Sequence, residues 1–171
     1  MRISFFWFTT LILLLALGCE KDNQDQNLDQ VEEFYQGLIA GTYQEGLHFS
    51  LPPFAPEHIP ALLMHSGDTN IVTGISNPIS SYHLEKIPIG YIMLWTIENI
   101  RIHYPKYTGE GGFPSQNPVI IRKEDSMIRV DQLTLLQIDH VYFQWWSKGR
   151  TLNFDQLRTL NPLEETGLTW K

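Results

Sequence analysis

The chain has 171 residues, enough for one compact domain, and carries 12 basic against 19 acidic residues for a net charge of −7. An acidic surface repels phosphate backbones and anionic headgroups, so nucleic acid is excluded as an expected partner. A single cysteine, Cys19, excludes an internal disulfide framework and a cysteine-rich zinc site.

The first segment reads as a secretion signal. Met1 and Arg2 form a short positive start, and Ile3 to Leu17 form an apolar run broken only by Ser4, Thr9 and Thr10. The run is shorter than the ~20 residues a bilayer span requires. Ala16-Leu17-Gly18-Cys19 closes it, and the cysteine at the junction points to lipid attachment on its sulfur. The pattern resembles the bacterial lipobox with two departures: Ala16 stands where Leu is usual, and Leu17 where a small residue is usual. Cleavage after Gly18 removes Arg2 and takes the net charge from −7 to −8. Two or more acyl chains on Cys19 would hold the chain stably at a membrane. They would also consume its thiol, which excludes cysteine catalysis.

Residues 19–28 read as the lipidated cysteine and a polar tether, Glu20 to Asn27 having no apolar residue. Glu20-Lys21-Asp22 resembles the acidic export signal of surface lipoproteins. The expected domain covers 29–171. A first helix starts at Asp29 as N-cap with Glu32 three residues on, buries Val31, Phe34 and Leu38, and stops at Gly41. A second runs from Pro56 to His65, with Pro60 distorting its early part and Gly67 ending it. Residues 68–86 read as turns, including Asn77-Pro78. A third helix spans about Pro88 to His103. After a glycine- and proline-rich loop, Val119–Arg122 and Met127–Val130 could form a small hairpin.

The fourth helix has Asp131 as N-cap and a staple of Val130 with Leu135. Its polar positions Gln137, His140, Gln144, Ser147 and Lys148 share one narrow stripe, so the helix is expected to be central. The fifth starts at Asn153 with Gln156 at N3. The expected fold is mainly α: one compact domain of about five helices, with room for one small β-hairpin before the fourth.

Several strings taken in order resemble a known family: Phe54–Leu63, Asn77–Ser81, Leu94–Arg101, Phe113–Pro118, Trp145-Trp146 and Asn161–Leu163 with Thr166-Gly167 and Trp170. They resemble a family of uncharacterised Bacteroidetes lipoproteins that carry one domain of unknown function, over most of residues 30–171. The resemblance implies a surface or periplasmic lipoprotein of largely helical fold. It implies no activity.

Chemistry-bearing groups are sparse. His58 and His65, seven apart on one helix, would lie ~10 Å apart along the axis, too far to share an ion. No HExxH occurs, and no metal or cofactor is expected. No GxSxG occurs; Ser80-Ser81 and Ser115 sit in turn contexts, and Gly109-Glu-Gly-Gly112 lacks the Lys-Ser/Thr of a phosphate loop. Trp145 and Trp146 fall in an apolar arc, which favours core packing over glycan stacking. Glu98 is the informative residue, because it lies among Tyr91, Leu94 and Trp95 with Arg101 at i+3. It reads either as half of a buried polar pair with Arg101 or as a cleft carboxylate flanked by Tyr91 and Trp95.

The expected function is a lipid-anchored envelope protein, at the outer membrane with surface exposure left open. It would act as a non-enzymatic module binding another envelope protein or a small ligand. The alternative is a small hydrolase-like enzyme using a cleft carboxylate such as Glu98, or a carboxylate pair brought together by folding. The largest pocket discriminates between them: a shallow, apolar one favours the binding module, and a closed cleft where Glu98 meets a second titratable group favours the enzyme.

Overall fold

A computed structural model describes residues 25–43, 49–75, 84–106 and 113–171. The signal segment, Cys19, Glu20-Lys21-Asp22, His48, His83, Asn77-Pro78, Ser80-Ser81 and Gly109–Gly112 lie outside the described residues.

The chain is helical over 25–40 (α1). Asp29 therefore sits inside the helix and is not its N-cap, and residues 25–28 are helix, not tether. These residues are largely solvent-facing, and a helical turn without a buried apolar stripe leaves no periodic mark. From sequence, such a turn looks the same as a solvated linker. Val31, Phe34 and Leu38 are buried as the spacing requires. Gly41 ends the helix at φ +68°, its N–H bonding Leu38 O at 3.2 Å while Thr42 N–H bonds Gly37 O at 2.9 Å. That left-handed turn is cheap only for glycine.

The expected second helix is split. Pro56–His58 forms a 3₁₀ turn and Ile59–Met64 the α-helix proper (α2), with Pro60 in its first turn. Residues 68–86, read as turns, contain two strands: Ile71–Ile75 (β1) and Leu84–Pro88 (β2) pair antiparallel, with Ile71 opposite Pro88 and Val72 opposite Ile87. Pro88, lacking an N–H, sits at the strand's end where a ladder tolerates it.

Pro88 also leads directly into α3, Ile89–His103. Every residue from Ile89 to Ile100 is buried, so α3 is the axis of the domain. Its N-terminus packs on backbone. Ile89 N–H donates to Asn70 O at 2.8 Å and Gly90 N–H to Asp68 O at 2.9 Å, which satisfies two of the donors a helix start leaves free. A Cβ on Gly90 would fall 2.3 Å from Ser66 O, so only glycine permits this approach.

The expected hairpin forms as Ile120–Arg122 (β3) and Ile128–Arg129 (β4). A third strand, Leu168–Trp170 (β5), was not expected; it pairs antiparallel with the other edge of β3, giving the order β4-β3-β5. Helix α4, Gln132–Ser147, starts at Asp131, whose carboxylate accepts the Thr134 N–H. It buries only Leu135, Ile138, Tyr142 and Trp145, a single stripe, and leaves Leu133, Leu136 and Phe143 exposed. The central helix is thus α3, and α4 lies at the periphery. A short 3₁₀ turn, Lys148–Arg150, links it to α5, Phe154–Leu157, where Asn153 and Gln156 form the expected reciprocal cap. The fold is mainly α with a few strands. Among the described residues, no helix is long and apolar enough to cross a membrane.

Candidate functional site

Glu98 sits near the C-terminal end of α3 and is 4% exposed. The i+3 spacing brings Arg101 against it as a two-toothed ion pair: Nη2 to Oε1 at 2.6 Å and Nε to Oε2 at 2.8 Å. Parallel N–H···O bonds of this kind are among the stronger protein contacts. Oε2 also accepts the Tyr142 hydroxyl at 2.7 Å from α4. Tyr142 oxygen in turn accepts Trp170 Nε1–H at 2.9 Å from β5. Burial, then the Glu98 charge, pushes the Tyr142 hydroxyl well above its ordinary range, so it stays protonated and donates. Burial alone would lower Arg101, but the hydrogen bond and charge of Glu98 outweigh it and hold the guanidinium above its usual value.

The network continues to the chain's C-terminal part. Arg101 Nη1 donates to Arg158 O at 2.9 Å. Arg158 returns to the end of α3, with Nη2 on Ile102 O at 2.6 Å and Nη1 on Tyr104 O. The last carbonyls of a helix lack intrahelical donors, and here a guanidinium supplies them. One carboxylate therefore ties α3 to α4, to β5 and to the segment after α5. The sequence reading anticipated Arg101 but none of Tyr142, Trp170 and Arg158. The one signal for them was general: a buried Tyr or Trp needs a partner for its polar atom.

Glu98 does not line a cleft with Tyr91 and Trp95. Both rings are fully buried, and their polar atoms are used elsewhere: Tyr91 hydroxyl on Asp131 O at 3.1 Å and Trp95 Nε1 on Ser115 Oγ at 2.8 Å. Trp145 is 2% exposed and donates to Leu157 O at 3.0 Å, so it is a core residue. Trp146 is half-buried and borders a shallow cleft with Phe143, Leu152 and Phe154.

A second polar cluster joins α1 to the turn before β1. Tyr35 hydroxyl donates to Asp68 at 2.6 Å, and that bond, helped by burial, pushes the phenol up to about 12. Burial would raise Asp68, but the Tyr35 hydroxyl and the Asn70 N–H outweigh it and hold the carboxyl low. His65 stacks on Tyr35 and meets Glu32 at 3.2 Å, and Ser66 Oγ donates to Asp139 of α4. His58, the other histidine of the expected helix, bonds Gln30 through Nε2 at 3.0 Å and Ala55 N–H through Nδ1 at 3.1 Å. Among the described residues, no three His, Cys, Asp or Glu side chains are grouped to hold a metal ion.

Among the described residues, open clefts on the surface include four of about 480 to 670 Å³. The largest lies between α1 and residues 50–54, with Gln30, Glu33, Tyr43 and Pro53 among its walls. Glu98 lines none of the four.

A family model described as a domain of unknown function (DUF4943) matches residues 25–171. The chain belongs to the DUF4943 family. No curated protein and no solved structure matches it. The DUF4943 match starts at residue 25, where α1 is already helical, and runs through β5, so it takes in every strand and helix described.

Proposed function

We propose that the chain is the precursor of a lipid-anchored envelope protein whose DUF4943 domain is a non-enzymatic binding module. Cys19, lipidated after removal of residues 1–18, would be the membrane anchor. The outer membrane is its expected place, and the acidic Glu20-Lys21-Asp22 stretch supports surface exposure. Helix α1 is under way by residue 25. At ~3.3–3.6 Å per extended residue, the domain would then start within ~20 Å of the bilayer surface.

The observation that carries the binding reading is the full engagement of Glu98. A general acid or base needs a free proton site facing a substrate. Glu98 instead spends both oxygens on Arg101 and Tyr142, and it lines none of the four clefts among the described residues. The hydrolase alternative thereby loses the support of Glu98, the carboxylate named for it. The clefts that do reach the surface fall within the ~300–1,000 Å³ of small-ligand sites.

The anchor is tested by detergent-phase partitioning of the chain and its Cys19→Ser variant. The wild type should enter the detergent phase and the variant the aqueous phase, with unchanged circular dichroism. An identical distribution would remove the lipoprotein reading. The enzyme alternative predicts that Glu98→Ala leaves stability unchanged or raises it, as for a strained catalytic carboxylate; the binding module predicts a large loss.

A further inference from the structure

We propose that the cleft between the β3–β4 hairpin, α4 and the turn before β5 binds the oxyanion group, phosphate or carboxylate, of a small sugar-sized ligand. The cleft measures about 640 Å³, and three cations line it: Arg122, Lys123 and Arg129. The sheet register explains their convergence. Arg129 lies opposite Ile120, and Arg122 follows Ile120 by two residues. Side chains alternate along a strand, so both arginines leave the same face of the hairpin. Lys123 N–H bonds Gly167 O at 2.8 Å, which pins the hairpin to the turn before β5. Thr134 and Gln137, one turn apart on α4, form the facing wall.

Three acids lie near this set and offset its charge in part. Asp125 meets Arg122 only at 3.6 Å and also accepts the Met127 N–H at 3.0 Å. Asp131, beside Arg129, is already held by the Thr134 N–H at 2.9 Å and hydroxyl at 2.8 Å. Glu124 lines the cleft itself and competes there for the same cations. Among the described residues, neither Lys123 nor Arg129 has an ion-pair contact or a side-chain hydrogen bond, and Asp131 acts on Arg129 through its charge alone. Arg129 Nε is moreover shut away from solvent with no acceptor. A buried Nε without an acceptor is the unusual feature, since buried polar groups are nearly always paired, and an anion in the cleft would meet the guanidinium through its Nη groups. An arginine fork beside a lysine point charge matches a phosphate or carboxylate. In a chain of net charge −7 the wider field opposes anions, so the attraction is local and salt-sensitive.

This inference deepens the binding-module reading and rests on it, but the Cys19 partitioning experiment does not involve Arg129, so the two can fail separately. Calorimetric titration of the full-length chain in detergent with inorganic phosphate, glucuronate and glucose tests it. Phosphate or glucuronate should bind saturably in the millimolar range or tighter, more weakly as NaCl rises, and glucose should not bind. Arg129→Gln and the exposed Lys123→Gln should each weaken the anion by about tenfold or more, while Arg150→Gln, in a different cleft, keeps it. Binding that survives Lys123→Gln and Arg129→Gln, an equal loss in Arg150→Gln, or no anion binding at all would overturn the proposal.

Discussion

Helices α3 and α4 read alike and are used differently. Both are mostly apolar along their length, yet α3 is buried on every side from Ile89 to Ile100 and α4 on one stripe only. On α4 the buried positions Leu135, Ile138, Tyr142 and Trp145 run at 3-4-3 spacing, and Leu133, Leu136, His140 and Phe143 run parallel to them in the open. Composition says how much apolar surface a helix carries. It does not say how many neighbours will cover it. The polar residues of α3 expose the other side of that bargain: Thr96 bonds back to Ile92 O at 2.8 Å, and Glu98 is held by Arg101 and Tyr142.

The largest effect should come from breaking that pair inside α3. Removing one partner of a buried ion pair strands the other and typically costs ~3–5 kcal/mol, against ~0.3–0.5 kcal/mol for an exposed helical pair. Glu98→Ala and Arg101→Ala should each lower the urea midpoint strongly. The double variant should cost clearly less than the two single costs added together, because neither residue is then left stranded. Small additive effects would mean that water reaches the pair, and the contrast between the two helices would narrow.

The sequence reveals this site in proportion to how local it is. Arg101 is legible because it is three residues from Glu98 on one helix. Tyr142 comes from 44 residues downstream, and Arg158 O meets Arg101 across 57, separations no pattern encodes. The same limit explains the strands. The β3–β4 hairpin is contiguous and readable, whereas β5 is three residues that become a strand only because β3 has a free edge. Gly74 and the Asn77-Pro78 turn signal in the sequence obscured β1, although Ile71 and Val72 are β-branched. Caps, which are decided within four residues, read well at Asp131 and Asn153.

The two helix starts give a second, smaller contrast. Helix α3 has its first N–H groups bonded by backbone carbonyls of Asp68 and Asn70, whereas α4 relies on the Asp131 side chain. Asp131→Ala should cost about 1 kcal/mol at neutral pH, the usual value of a lost cap. The Thr134 N–H and then its hydroxyl hold the Asp131 carboxyl below its ordinary value of 3.8. A depressed folded pKa stabilises above the unfolded value, and that contribution is lost as pH falls through the folded one. The difference in melting temperature between wild type and variant should therefore be full at pH 7 and shrink below ~pH 4. A penalty unchanged at pH 2.5 would show that the cap does not depend on the charge.

The smallest effect should come from the open face of α4. Leu133 is 80% exposed, so replacing it removes almost no buried area. Leucine and glutamine have nearly the same helix propensity, so the helix itself should not object. Leu133→Gln is expected to stay within ~0.5 kcal/mol of wild type, as exposed substitutions generally do. The matching change on α3, Ile97→Gln, puts an amide at a position with no exposure and no partner, and should destabilise the domain several-fold more. Urea midpoints of the two variants measured side by side read the difference between the helices directly. The pair is informative because both substitutions put glutamine in place of a large aliphatic side chain in helices that look equivalent on paper. If Leu133→Gln instead costs more than 1 kcal/mol, the face is covered in solution, and sedimentation over a range of concentrations would show whether a second copy covers it.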